Sequence, residues 1–108
     1  MPLPFCVYIL FSEKDNLLYI GYTANLDRRF QNHQSGGTKS TANRRPLNLI
    51  FCEFYLFEED ARRRESYFKT TMGKKALKLM LASTLSKLDY KKRKSEMTII
   101  FEPGIAET

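Results

Sequence analysis

The sequence has few of the side chains that bind soft metals: one histidine and two cysteines in 108 residues. Cys6 and Cys52 do not form a C-x-x-C motif, and with a single histidine the common zinc and redox sites are excluded. Both cysteines fall within apolar segments, so we expect them to be buried and reduced, as in a cytoplasmic protein. No apolar run approaches the length of a membrane span, and the N-terminus lacks the pattern of a signal peptide.

Basic residues outnumber acidic ones, with 18 Lys and Arg against 12 Asp and Glu and a net charge of +6. Such an excess favours a polyanionic partner, above all nucleic acid, although a merely basic surface explains it equally well. The apolar content of 43% is enough for one core. We therefore predict one domain over residues 1–88, followed by a basic C-terminal extension over residues 89–108 that is partly packed or disordered.

Two apolar segments near the N-terminus predict a β-hairpin. The segment from Phe5 to Phe11 is continuously apolar, which indicates a strand covered on both faces, and Leu17 to Tyr22 follows a polar turn. If the loop has an even number of residues, Tyr8 lies opposite Gly21, and Tyr8 and Tyr19 point to the same face. Gly21 then leaves room between the two phenols. An odd loop would reverse the faces of one strand and separate the tyrosines.

A helix is predicted to begin at Leu26, because Asn25 is a good N-cap and the apolar spacing changes to that of a helix. Arg29 and His33 share the face of Leu26, whereas Arg28 points to solvent. Two interpretations of Arg29 and His33 stay open from the residues alone. They either form part of a functional site, or they are an arginine at the edge of the core and a half-buried, hydrogen-bonded imidazole.

The segment from Gln34 to Pro46 is rich in Gly, Ser and Thr and carries Lys39, Arg44 and Arg45. This composition predicts a loop, and its amides, hydroxyls and cations are groups that contact phosphates. A plain solvated connector is the alternative. A third strand is predicted over Leu47 to Phe57.

The next helix begins with three acidic residues and places a carboxylate on its apolar face. Glu65 shares that face with Ala61, Phe68 and Met72. An ionised carboxylate in such a place needs a cation, because burying an unpaired charge is costly. Lys69, four residues later, offers a surface ion pair as one answer. A metal ion is the other, and we favour it because Glu65 lies within the apolar stripe.

Gly73 predicts a break between this helix and the next one. The second helix has apolar residues at helical spacing and no chemistry that we can assign; these residues are Leu77, Met80, Leu81, Leu85 and Leu88. A basic run over residues 87–94 either binds DNA or is simply solvated. The apolar segment from Met97 to Phe101 packs back onto the domain or pairs as a short edge strand.

These motifs in this order resemble those of the GIY-YIG nuclease superfamily. The resemblance covers Phe5 to Leu81, and it is greatest for small stand-alone proteins similar to the N-terminal nuclease domain of an excinuclease. The residues that carry it are Cys6-Val7-Tyr8 in place of Gly-Ile-Tyr, Tyr19-Ile20-Gly21, Asn25-Leu26 followed by Arg29, the R-x-x-x-H spacing to His33, and the A-x-x-x-E-x-x-F-K helix. The resemblance implies an α/β fold with a small three-stranded antiparallel sheet flanked by helices.

The resemblance also implies residue roles. Glu65 would hold Mg²⁺ or Mn²⁺, Tyr8 and Tyr19 would manage the attacking water, Arg29 would stabilise charge on the phosphate, and His33 would position a tyrosine or a phosphate oxygen. The expected activity is metal-dependent hydrolysis of DNA, structure-selective or weakly sequence-specific, in repair or on branched or damaged DNA. A DNA-binding module without cleavage and a protein-interaction domain are the alternatives. We expect a monomer or a weak dimer.

Overall fold

The computed structural model describes residues 3–89. The elements in chain order are β1 (Phe5–Ser12), β2 (Leu18–Thr23), α1 (Leu26–Ser35), a 3-10 turn (Ala42–Arg44), β3 (Leu47–Tyr55), α2 (Glu58–Phe68), α3 (Thr71–Met80) and α4 (Ala82–Asp89). The strands form one antiparallel sheet in the order β2-β1-β3. The predicted α/β fold with a three-stranded antiparallel sheet is therefore confirmed. Beyond Asp89, the predicted C-terminal extension, with its segment from Met97 to Phe101, lies outside the described residues.

The register of the hairpin is the one that an even loop predicts. Tyr8 pairs with Gly21, and Leu10 pairs with Tyr19. The turn is held by local hydrogen bonds, including one from the Leu17 amide to the Asp15 carboxylate at 3.0 Å. Because residues paired across two strands share a face, Tyr8 and Tyr19 lie on the same side of the sheet.

Each face of the sheet has its own apolar cluster. On one face, side chains of β1 and β2 pack against helices α2, α3 and α4; the buried members from the strands are Val7, Ile9, Phe11, Leu18, Ile20 and Tyr22. On the other face lie Cys6, Tyr8, Leu10, Tyr19 and Leu47, with Leu26 and Phe30 of α1 packed against them. We call this second side the α1 face. The central strand β1 is buried on both sides, as its continuously apolar sequence predicts.

The chain turns between α2 and α3 earlier than Gly73 predicts. Helix α2 ends at Phe68, and the Thr70 hydroxyl caps α3 by accepting from the Gly73 amide at 3.0 Å. Gly73 is buried in the first turn of α3, where a Cβ atom would collide with the carbonyl group of Tyr67. The sequence pattern places Met72 on the apolar face of α2, and this prediction is wrong because α3 directs it outward with 65% of its surface exposed.

A second interruption separates α3 from α4 at Leu81. Leu77, Leu81 and Leu85 are buried as predicted, whereas Met80 is exposed. The prediction of one continuous packing helix is therefore wrong. The buried leucines keep their four-residue spacing through the break, whereas Met80, the last residue of α3, is exposed. Within the described part of the chain, every helix is too short or too polar to cross a membrane.

The two cysteines differ in their surroundings. Cys6 is buried in β1, and burial raises the pKa of its thiol to about 12, so the thiol is protonated at neutral pH. Cys52 is exposed, and the prediction that it is buried is wrong. Its strand, β3, lies at the edge of the sheet, where a side chain in an apolar segment still reaches solvent.

Candidate active site

A chain of hydrogen bonds runs through the buried α1 face. The hydroxyl of Tyr8 lies 2.8 Å from Nε2 of His33, and Nδ1 of the same ring lies 2.7 Å from the hydroxyl of Thr41. All three residues have no measurable exposure. The alternative of a half-buried imidazole is therefore wrong in its degree of burial, since the ring is fully covered and both nitrogens are engaged.

Helix α1 places His33 beneath the sheet. It begins at the predicted N-cap, where the Asn25 side chain accepts from the Arg28 amide at 3.1 Å. It ends at Gly36, which takes a left-handed conformation with φ of 86°. Arg28 is exposed and His33 is buried, so the rotational argument from the sequence is confirmed for both positions.

Tyr19 completes an aromatic cluster around His33. Its ring centroid lies 5.2 Å from that of His33 and 6.3 Å from that of Tyr8, with tilted or edge-on geometry. The Tyr19 hydroxyl is buried, and within residues 3–89 no hydrogen-bond partner reaches it. A buried hydroxyl without a partner costs about 1–3 kcal/mol. Such an atom is suited to bind an oxygen atom of water or of a substrate.

The Tyr8 ring occupies the space that a side chain at position 21 would need. A Cβ atom on Gly21 would lie 2.5 Å from the Tyr8 hydroxyl oxygen. A contact this short is well inside van der Waals distance, so any larger residue would displace the phenol. The glycine therefore acts on the site through the position of Tyr8.

Two charged side chains from different helices act on Tyr8. Burial raises the pKa of its phenol to about 12, hydrogen bonding and charge from Arg29 oppose that rise, and the charge of Glu65 adds to it. Burial and then the positive charge of Arg29 lower the pKa of His33 to about 4. At neutral pH His33 is therefore uncharged, and Tyr8 retains its proton. Tyr8 is thus the residue that the other four side chains named by the resemblance share as a neighbour. His33 is hydrogen-bonded to it, Tyr19 lies beside its ring, and the charges of Arg29 and Glu65 act on its phenol.

Glu65 is 9% exposed and forms an ion pair with Lys69, with 3.2 Å between Nζ and Oε2. The ion pair that the sequence offers as an alternative is thus present. Within residues 3–89, no group of three His, Cys, Asp or Glu side chains is placed to hold a metal ion. A hard divalent cation does not need such a group, because Mg²⁺ commonly binds through one or two carboxylates and keeps several waters. The donor set of one carboxylate fits Mg²⁺ or Mn²⁺ of this kind.

The basic loop after α1 is tied to the hairpin turn. Arg44 is paired with Asp15 at 2.7 Å, and the Ser12 hydroxyl donates to the Arg44 carbonyl at 2.6 Å. Arg45 donates to the backbone carbonyl of Ala42 in the loop and to that of Gln34 in the last turn of α1, and Lys39 is exposed. Two of the three cations predicted to bind DNA therefore also hold the loop in place. Their contact with phosphates stays a prediction.

Thr41 is the one member of the hydrogen-bonded chain that sequence reasoning missed. It lies in the loop eight residues after His33 and directly before the 3-10 turn. The hydroxyl-rich composition of the loop indicates phosphate ligands rather than a partner for a buried ring. Nothing in the local sequence distinguishes this threonine from Thr38 as the partner of the histidine.

Comparison with known proteins agrees with this architecture. The family model of the GIY-YIG catalytic domain matches residues 4–78. The chain is 37% identical over 87 residues to a UPF0213 protein of Clostridium perfringens, covering 80% of this chain and 92% of that protein. It is 41% identical over 68 residues to a UPF0213 protein of Staphylococcus haemolyticus, covering 62% of this chain and 83% of the relative. A search of solved structures finds no significant match.

The fold and the matched domain define the class of protein: the chain has a nuclease fold. The chain belongs to the GIY-YIG family, and its relatives are the UPF0213 proteins, a group of stand-alone domains within it.

Proposed function

We propose that this protein is a divalent-metal-dependent endonuclease that hydrolyses phosphodiester bonds in DNA with structure selectivity or weak sequence specificity. The observation that carries the proposal is the buried hydrogen bond between Tyr8 and His33, with Arg29 and Glu65 acting on the same phenol. A protein that only bound DNA would not need a fully buried phenol whose hydroxyl is joined to an uncharged imidazole. The net charge of +6 supports a polyanionic substrate.

Tyr8 is the better candidate for the general base, because His33 and Arg29 both act on its oxygen. To accept a proton from the attacking water, the phenol must first lose its own, and its pKa of about 12 opposes this. Positive charge near the oxygen lowers the pKa. Arg29 supplies part of that charge and would also stabilise the phosphate as its negative charge increases.

Glu65 would hold Mg²⁺ or Mn²⁺, with water completing the coordination. When bound, the cation would supply positive charge that favours ionisation of groups around it and neutralises charge on the phosphate. Release of Glu65 from Lys69 is then part of metal binding, since the carboxylate now accepts from that ammonium group. The Tyr19 hydroxyl, which has no partner within residues 3–89, is left to bind a phosphate oxygen or the water.

The Glu65–Lys69 ion pair also favours a second candidate, a DNA-binding module of the same fold that does not cleave. In that case the ammonium group satisfies the carboxylate permanently, and the site residues serve only to build the α1 face. The substrate of either form is DNA, including branched or damaged DNA. A role in repair, a cytoplasmic location and a monomeric or weakly dimeric state remain parts of the proposal.

The test is incubation of the whole chain with supercoiled plasmid and with branched DNA, in Mg²⁺, in Mn²⁺ and in chelator. We expect cleavage with metal and none with chelator. Tyr8→Phe should lower the rate by roughly a hundredfold or more, the usual contribution of a general base. Tyr67→Phe is the matched control, because it removes a phenolic hydroxyl from an exposed side chain of α2.

Cleavage that continues unchanged in chelator would refute the metal-dependent mechanism. Binding of DNA without cleavage in either metal would support the second candidate instead. A Tyr8→Phe variant that cuts at the parent rate would show that the base lies elsewhere.

A further inference from the structure

Three consecutive arginines of α2 have different surroundings. Arg64 donates to both carboxylate oxygens of Glu53, at 2.9 and 3.0 Å, and its Cζ atom lies 4.4 Å from the centroid of the Phe68 ring. These contacts join α2 to β3. Arg63 has 72% of its side chain exposed and pairs with Asp60 of the same helix. The first of these arginines therefore serves the packing of the domain, and the second is a surface charge.

Arg62 differs from both because it rests on an aromatic ring beside Glu65. Its Cζ atom lies 4.4 Å from the centroid of the Tyr22 ring, and that ring is stacked with Phe5, with 15° between the two planes. A cation over the face of an aromatic ring is attracted to it. The guanidinium of Arg62 is thus held in a defined place although 46% of the side chain is exposed.

The geometry of an α-helix places Arg62 and Glu65 on the same side of α2. Residues three positions apart differ by about 60° around the helix axis and by about 4.5 Å along it. Arg63, by contrast, lies about 160° around the axis from Glu65. The hydrogen bond to Glu58 raises the pKa of Arg62, and the charge of Glu65 adds to that rise. The guanidinium is therefore within electrostatic range of the carboxylate that would hold the metal.

The ion pair of Arg62 with Glu58 leaves room for a second anion. Nε of Arg62 donates to Oε2 of Glu58 at 2.8 Å, and both side chains are exposed. Such a pair is weak, because water competes for both charges. A guanidinium has five N–H groups, so it can bind a phosphate with those that the carboxylate does not use, or exchange the carboxylate for the phosphate.

We infer that Arg62 binds DNA at a phosphate next to the one that is cleaved. The inference rests on the proposed function, in which the metal at Glu65 and the guanidinium of Arg29 act on the scissile phosphate. Successive phosphates of one strand are separated by about 3.4 Å of rise, so a neighbour of the scissile phosphate is within reach of a long side chain one helical turn from Glu65. The planar guanidinium suits this contact, because it can donate two hydrogen bonds to one phosphate.

Binding of a branched DNA duplex in chelator tests this contact without cleavage. Arg62→Gln should weaken binding about tenfold at low salt, since a hydrogen bond to a charged group is lost. The slope of log DNA affinity against log salt concentration should fall by about 1, because one phosphate contact is lost. Arg62→Lys should keep the parent slope, because an ammonium group also neutralises the phosphate.

Arg63→Gln is the matched control. It removes the same charge from the same helix and also breaks one surface ion pair, but on the side turned away from Glu65. Its salt slope should equal that of the parent. In cleavage with Mg²⁺, Arg62→Gln should raise KM and leave kcat near the parent value, because a contact outside the scissile phosphate is the same before and during the reaction. Arg63→Gln should leave both constants unchanged.

Equal salt slopes for the parent and Arg62→Gln would overturn the inference. Equal losses of affinity in Arg62→Gln and Arg63→Gln would also overturn it, since they would reflect net charge alone. A lower melting temperature of Arg62→Gln with the parent affinity would show that Arg62 only packs on Tyr22. A protein whose binding depends on Arg62 but which cuts DNA in neither metal would refute the proposed cleavage and leave the DNA contact in place.

Discussion

Replacing Glu65 with Gln separates the metal-ligand role from the ion-pair role of this residue. The side chain keeps its length and volume, so the packing of α2 against the sheet is preserved. The amide is neutral and a poor ligand for a hard cation, and a site with one carboxylate has no second one to compensate. If the bound cation stabilises the transition state by several kcal/mol, cleavage should fall by roughly a thousandfold or more.

The expected loss of stability is much smaller. The interaction removed is one ion pair, with side-chain exposures of 25% for Lys69 and 11% for Glu65. A partly exposed pair of this kind contributes about 1 kcal/mol at most, or roughly 5 °C of melting temperature for a domain of this size. Metal-free DNA affinity should be unchanged or higher, because one negative charge near the phosphates has been removed.

Lys69→Met is the control, because it breaks the same ion pair from the other side and leaves the carboxylate in place. Its melting temperature should fall by at least as much as that of Glu65→Gln, because the largely buried carboxylate is left without its cation. Its cleavage rate should remain near that of the parent, and its dependence on Mg²⁺ should shift to lower concentrations. Cleavage rate, metal-free DNA affinity and melting temperature are measured on the same preparations. A folded Glu65→Gln variant that cuts at the parent rate would refute the metal-ligand role. Equal loss of cleavage in both variants would indicate that cleavage depends on the ion pair itself and not on a metal bound by Glu65.

Three further measurements test the site. The pKa of His33 in the folded protein is about 4, below its ordinary value of 6.5. The uncharged ring therefore contributes fully to stability above pH 6.5, and this contribution is lost as the pH falls toward 4, with an expected fall of about 3 kcal/mol in the free energy of unfolding. A folded His33→Gln variant should show a flatter dependence of stability on pH. Gly21→Ala should lower cleavage sharply and stability by about 1–3 kcal/mol, since the new methyl group displaces Tyr8; a variant as active and as stable as the parent would contradict that geometry. If Lys39 contacts a phosphate, Lys39→Ala should reduce the slope of log DNA affinity against log salt concentration by about 1. Arg44→Ala should mainly lower the melting temperature. An unchanged slope for Lys39→Ala would indicate that the loop is a plain connector.

Much of the sheet and of α1 could be predicted because the determinants are local. The alternation of side chains along a strand, together with an even loop, places Tyr8 opposite Gly21 and on the same face as Tyr19. Helical periodicity likewise separates the buried His33 from the exposed Arg28. These relations depend on neighbours in the chain and on backbone geometry, which hold whatever the rest of the molecule does.

Other features follow from packing that no local pattern encodes. Met72 and Met80 continue apolar stripes in the sequence, yet both are exposed because the helices end and change direction beside them. Cys52 lies in an apolar segment, but β3 is at the edge of the sheet. Periodicity states which face of an element is apolar, and only the arrangement of elements decides how much of that face is covered.

The sequence by itself determined the fold class, the shared face of the two tyrosines and the inward direction of His33. Only the tertiary structure decided that Thr41 meets His33, since Thr41 lies in an irregular loop whose path has no period. It also decided that Arg44 pairs with Asp15, 29 residues away in the chain. Contacts of this kind form when separate elements pack together, and that packing sets the hydrogen bonds and the charges around Tyr8.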